Sequence, residues 1–153
     1  MKKGAFIAVI FGLFVLLCSC MERGPYSAPL NQPIDEILKV DLVDGRNEYE
    51  LFYSESYANT VICTLDSEQM DVFLEGLLTV EFFVPSLEPS RHLGELAARV
   101  YYKNGNSDII GSNCCYYVDS NFKILDRGTY YPNKESFYTL FGRFIDTELM
   151  TQR

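Results

Sequence analysis

Apolar and polar residues alternate along several short runs of the chain, and in two places the period lengthens to that of a helix. From Ile34 to Val43, Leu38, Val40 and Leu42 share one face of an extended segment. Asp44-Gly45-Arg46-Asn47 is a turn signal. Tyr49, Leu51 and Tyr53 then alternate with Glu50, Phe52 and Ser54, which predicts a second strand and an N-terminal hairpin. Val61 to Leu65 reads as a third strand.

Asp66 is a helix N-cap with Gln69 at the capping-box position. Met70, Phe73, Leu74, Leu77 and Leu78 follow with the spacing of one helical face. Val80 to Val84 is a short strand stopped by Pro85, and Ser86 to Gly94 is a loop. Glu95 to Lys103 is a strand with Leu96, Ala98, Val100 and Tyr102 on one face. Asn104-Gly105 turns it back through Ser107 to Ile110. Cys114 to Val118 and Phe122 to Leu125 form another hairpin about Asp119-Ser120-Asn121. Asn133 caps a last helix, in which Phe137, Leu140, Phe141, Phe144 and Ile145 repeat the spacing of the first.

Strands followed by a helix thus occur twice, a weak pseudo-repeat. The pattern predicts an α+β fold, an antiparallel sheet of about six to eight strands with two amphipathic helices packed on one face. Tyrosines and charged residues are expected on the other face. Residues 34–146 form the single domain, and residues 147–153 a frayed tail. Residues 21–33 hold three prolines and a glycine without periodicity, and read as a flexible tether of some 20 Å.

The N-terminus has a different character. Lys2 and Lys3 precede an apolar run from Ala5 to Leu17, closed by Cys18, Ser19 and Cys20. This is the layout of a signal peptide, and the run is shorter than the roughly 20 apolar residues of a membrane span. Leu17-Cys18-Ser19-Cys20 resembles the bacterial lipobox: a leucine, two small residues and the acceptor cysteine. Cys18 departs mildly from the usual Ala, Ser or Thr. The resemblance covers residues 1–20 only. It implies a diacylglyceryl group on Cys20, cleavage before it, and a membrane partner reached through that anchor outside the cytoplasm. Two acyl chains hold a protein stably, so no basic surface is needed.

Charge narrows the classes of partner. The chain carries 13 basic and 21 acidic residues, and losing Lys2 and Lys3 on cleavage would take the formal net charge from −8 to −10. Such a surface repels nucleic acid, and no basic run or Gly-rich phosphate loop offsets it. No cofactor motif is present.

Candidate chemistry is sparse. The lone histidine, His92, lies beside Arg91 in a loop with no partner nearby in sequence, so no catalytic residue is assigned. The carboxylates show no spacing that singles out a pair. Cys63, Cys114 and Cys115 would meet an oxidising compartment. Neighbouring residues of a strand face opposite ways, so only one of Cys114 and Cys115 can face Cys63. A disulfide from Cys63 to either one, and three buried free thiols, are the two readings. A metal site is not expected, because there is no Cys-x-x-Cys pair. Three tyrosine doublets remain: Tyr101-Tyr102, Tyr116-Tyr117 and Tyr130-Tyr131. Ordinary sheet residues explain them, and so does a row of exposed rings that binds an envelope protein, a peptide or a glycan.

The leading expectation is a non-enzymatic binding module on a lipid anchor. The alternatives are an inhibitor or immunity-type protein that neutralises a basic envelope toxin or hydrolase, and a cell-wall enzyme or accessory.

Overall fold

The computed structural model describes residues 23–85 and 92–145. Cys20, the loop residues 86–91 and the tail from Asp146 lie outside the described residues. The strands are β1 (Arg23–Tyr26), β2 (Ile37–Asp44), β3 (Val61–Thr64), β4 (Phe82–Val84), β5 (Leu96–Tyr102), β6 (Ser107–Gly111), β7 (Cys115–Val118), β8 (Ile124–Gly128) and β9 (Tyr131–Pro132). The helices are α1 (Glu48–Leu51), α2 (Ser67–Thr79) and α3 (Lys134–Phe141), with short 3-10 turns at Ile34–Glu36, Gly45–Asn47 and Tyr57–Asn59. The fold is α+β. Six strands form an antiparallel sheet in the order β3-β2-β5-β6-β7-β8, and a separate small sheet has the order β1-β4-β9.

Local signals build the two longer helices. The Asp66 carboxylate accepts from the Gln69 N–H at 2.9 Å, and the Gln69 side chain accepts from the Asp66 N–H at 3.1 Å. This closes the capping box and satisfies two of the orphan donors at the helix start. At α3 the Asn133 side chain accepts from the Ser136 N–H at 3.2 Å. Phe73, Leu74 and Leu77 of α2 and Phe137, Leu140 and Phe141 of α3 are buried. Phe73 meets the edges of Phe141 and Phe144 at 5.5 and 5.6 Å. Together the helices cover one sheet face, carried by Val40, Leu42, Ala98, Val100 and Ile110. Leu78, expected on this face, is exposed instead.

The β5–β6 connection is a three-residue loop. The Tyr102 N–H donates to Asn106 O, the Gly105 N–H donates to Tyr102 O, and Gly105 takes a φ of +85°. The glycine supplies the left-handed position that such a loop needs. This turn fixes the register: Tyr101 lies opposite Ser107, Val100 opposite Asp108, and Arg99 opposite Ile109.

Four expectations are corrected. First, Glu48–Leu51 is helical, so there is no N-terminal hairpin with β2. The neighbours of β2 are β3 and β5, which leaves no free edge. Tyr49 in this turn and Tyr53 just past it stack with rings 4.3 Å apart, both exposed, while Leu51 between them is buried. Second, Leu38 is 60% exposed. The pairing of β2 with β5 slips between Ile37 and Lys39, and Ile37 takes the inward place. Third, β8 begins at Ile124, because Phe122 has a left-handed φ of +64° that no strand uses. Fourth, residues 23–31 are not a free tether. β1 pairs with β4, and Ala28 and Leu30 pack against the main core.

The second sheet face carries the expected tyrosines and charged residues, yet it is covered rather than open. Val43, Ala97, Ile109, Tyr116 and Val118 form a second buried cluster, covered by Leu51, Phe52 and Tyr57 of the segment that follows β2. Two charges are buried on this face, Asp41 and Arg99, directly opposite one another across β2 and β5.

Candidate functional site

The segment Tyr26–Asn31 crosses the half of the first sheet face that the helices leave uncovered. Between it and strands β6–β8 lies a cleft of about 400 Å³. The segment supplies one wall through Tyr26, Ser27, Pro29, Leu30 and Asn31. Asp108, Cys115, Tyr116 and Tyr117 line the floor, and Asp126, Gly128 and Tyr130 the far side. Register explains the floor. Asp108, Tyr117 and Asp126 are directly opposite one another on β6, β7 and β8, and so form one row. Cys115 stands opposite Gly128 in the next row, and the glycine adds no side chain to fill the space.

Asp108 is the buried pivot. Its carboxylate accepts from the Asn31 backbone N–H and from the Asn31 side-chain amide, each at 2.7 Å, and from the Tyr102 hydroxyl. Burial raises its pKa above the ordinary 3.8, and the three donors temper the rise. Burial also pushes the Tyr102 hydroxyl up, reinforced by the neighbouring carboxylate. Tyr117 accepts from the Asn106 side-chain amide at 2.7 Å, so its ring is held in place. The rings of Tyr26 and Tyr130 meet at 5.6 Å and 82°, forming an aromatic corner.

The six tyrosines of the doublets do not make an exposed row. Tyr102 and Tyr116 are buried, and Tyr101, Tyr117, Tyr130 and Tyr131 are partly buried. Alternation and position divide them. Tyr102, Tyr117 and Tyr130 belong to the cleft side. Tyr101 and Tyr116 belong to the second cluster, where Tyr116 donates to Glu48 at 2.8 Å. Tyr131 lies in the small sheet against Phe83. Burial of Tyr101 carries its hydroxyl up to about 12.

All three described cysteines are free thiols. Cys63 on β3 is four strand spacings from β7, or about 19 Å, well beyond disulfide reach. Cys114 and Cys115 do face opposite ways, each into a different buried cluster. Burial raises Cys114 to about 11 and Cys115 well above the usual thiol range. The Cys115 thiol donates to Tyr130 O at 3.6 Å. Protonated thiols of this kind are poor nucleophiles. His92 is 87% exposed, with Nδ1 3.4 Å from a Glu48 carboxylate oxygen. Among the described residues, no three His, Cys, Asp or Glu side chains converge as ligands for a metal ion. Among the same residues, no helix is long and apolar enough to cross a membrane.

A second depression of about 420 Å³ lies where α2 meets α3, lined by Gly76, Glu81, Asn133, Ser136 and Arg143. It brings together no aromatic side chain and no buried ionisable group.

Asn31, Asp108 and Asp126 carry the cleft and are absent from the candidates drawn from sequence. Asp108 had a signal. The Asn104-Gly105 turn sets it opposite Val100, an inward position, where a carboxylate is an anomaly that demands partners. Asn31 had none, because its contact spans 77 residues. No family model, no curated protein and no solved structure matches this chain.

Proposed function

We propose that the chain is a lipoprotein acylated on Cys20, whose domain serves as a non-enzymatic binding module outside the cytoplasm, with the cleft beside Asp108 as its ligand site. The lipobox-like Leu17-Cys18-Ser19-Cys20 supports the anchor. The observation that carries the binding role is the cleft itself. It is concave, walled by aromatic rings, and prearranged by hydrogen bonds between elements distant in sequence. The ionisable groups around it favour recognition over chemistry, since Cys115 is held protonated and Asp108 is already occupied by three donors.

The test uses the envelope fraction of the parent cell and a blocked cleft. Ser27 lines the cleft and is exposed, so Ser27→Trp fills it without disturbing the core. Species retained by the wild-type chain are lost on Ser27→Trp and kept on Tyr49→Ala, an exposed change elsewhere. Equal retention by all three chains removes the cleft as the site. For the anchor, mass spectrometry of the mature N-terminus reads the acyl group, and Cys20→Ala releases the protein from the membrane. A variant that is processed and anchored normally refutes the lipid attachment.

A further inference from the structure

The chemistry of the cleft is one-sided in charge. Asp126 is exposed on its far side, and Asp108 lies two strands away in the same row, about 10 Å off at the backbone. Tyr117 stands between them. Among the described residues that line it, none is a lysine, arginine or histidine. Arg127, next to Asp126 on β8, points to the opposite sheet face, where its guanidinium lies 5.5 Å from the Tyr116 ring. The corner formed by Tyr26 and Tyr130 lines the same cleft as the acidic row. The two rings meet edge to face at 82°, and an aromatic face is electron-rich.

From this juxtaposition we infer that the cleft binds an organic cation, an alkylammonium group carried by a small amine or by a lysine side chain. The inference rests on the reading of the cleft as the ligand site and specifies what enters it. The division of labour follows from the hydrogen bonds. Asp108 is buried and engaged by Asn31 and Tyr102, and so contributes negative potential at the floor rather than direct contact. Asp126 is the carboxylate that meets the ammonium, and Tyr26 and Tyr130 cover its alkyl stem and its charge. Phosphate-bearing and other anionic ligands are repelled by the same row. The net charge of −8 adds a long-range field that draws cations in.

The experiment titrates the full chain, in detergent micelles, by calorimetry. Its probes are spermidine, a short peptide with two lysines, acetate and a chitin oligosaccharide. Spermidine or the lysine peptide binds saturably, and binding weakens by about tenfold in Asp126→Asn and again in Tyr130→Leu. It also weakens in about 0.5 M salt, as an exposed charge contact must. Tighter binding of spermidine marks a free amine as the natural ligand, and tighter binding of the peptide marks a partner's side chain. Absence of saturable binding by both amines overturns the inference, as does an unchanged affinity in Asp126→Asn. If the oligosaccharide binds and Ser27→Trp abolishes this, the cation assignment falls while the cleft stands. If Ser27→Trp also leaves envelope capture unchanged, the cleft reading falls with it.

Discussion

At the scale of single residues, the decisive feature is how this small domain buries charge. Arg99 has its guanidinium carbon 4.7, 4.9 and 4.2 Å from the rings of Tyr57, Tyr101 and Phe122. Its Nε donates to the Ser107 hydroxyl at 3.0 Å, while one terminal nitrogen is buried with no hydrogen-bond partner. The compensating charge is Asp41, opposite it on β2. Asp41 accepts from Tyr57 at 2.9 Å and from Thr64 at 2.6 Å, and pairs with Lys39 at 2.9 Å. Asp41→Ala strips two hydroxyls of their acceptor and leaves Arg99 buried without a nearby carboxylate. The expected loss is about 3 kcal/mol, read from urea midpoints. Lys39 is 44% exposed, so Lys39→Ala costs under about 1 kcal/mol in the same assay. Near-equal losses would place the weight on the surface pair and contradict the buried-charge account. Asp108 makes a pH prediction with a definite sign. Folding raises its pKa above 3.8, so it takes up a proton more readily in the fold than in the unfolded chain. That stabilising contribution is complete below 3.8 and is lost as the pH climbs through the folded-state value. Measured against the non-titrating Asp108→Asn, the wild type loses ground as the pH rises from 4 towards neutrality. A difference that is flat or that grows would reverse the assignment.

At the scale of elements, local chemistry decides what can be read in advance. The helices α2 and α3 were legible, because each has a side-chain cap and a repeated apolar face within a dozen residues. So was the β5–β6 hairpin, whose turn residues dictate its geometry. The segment Tyr49–Tyr53 misleads because five residues fit a period of two as well as a helical turn. Tertiary pairing settles it, since β3 rather than this segment takes the edge of β2. Phe122 is another case. Its ring closes over Arg99, and that packing holds a bulky residue in a left-handed conformation its own preference opposes. The register of β6 also depends on close approach. A side-chain carbon on Gly111 would lie 2.4 Å from the Leu93 backbone oxygen, and backbone cannot swing aside. Gly111→Ala is therefore expected to cost about 2 kcal/mol, although alanine is the less flexible residue in the unfolded chain. A lowered thermal midpoint with an unchanged far-ultraviolet spectrum reads this out, and a stabilised variant would show that the loop holding Leu93 yields.

At the scale of the whole molecule, the folded unit reaches further toward the N-terminus than composition suggests. Gly24, Pro25 and Pro29 read as linker residues, yet β1 and the crossing segment complete both the small sheet and the cleft. What made this illegible is distance along the chain. The partners of Arg23, Tyr26 and Asn31 are Val84, Phe82 and Asp108. The consequence for an anchored protein is geometric. With the fold beginning at Arg23, only about 10 Å of chain can separate Cys20 from the domain, half of what a free tether would give. On the proposed anchor, the acidic domain would be held close to the bilayer by lipid rather than by its surface. Deleting residues 24–31 while keeping Cys20 separates the two descriptions. A flexible tether can be shortened with no effect on the domain. Here the deletion removes the β1 partner of β4 and takes two hydrogen bonds from a buried carboxylate, so stability falls by about 3 kcal/mol or more. Thermal denaturation of the two chains measures it, and a loss below about 0.5 kcal/mol would return the segment to the role of a linker. The same deletion opens one wall of the cleft, so amine binding is lost with the stability, coupling the attachment of the domain to its capacity to recognise a ligand.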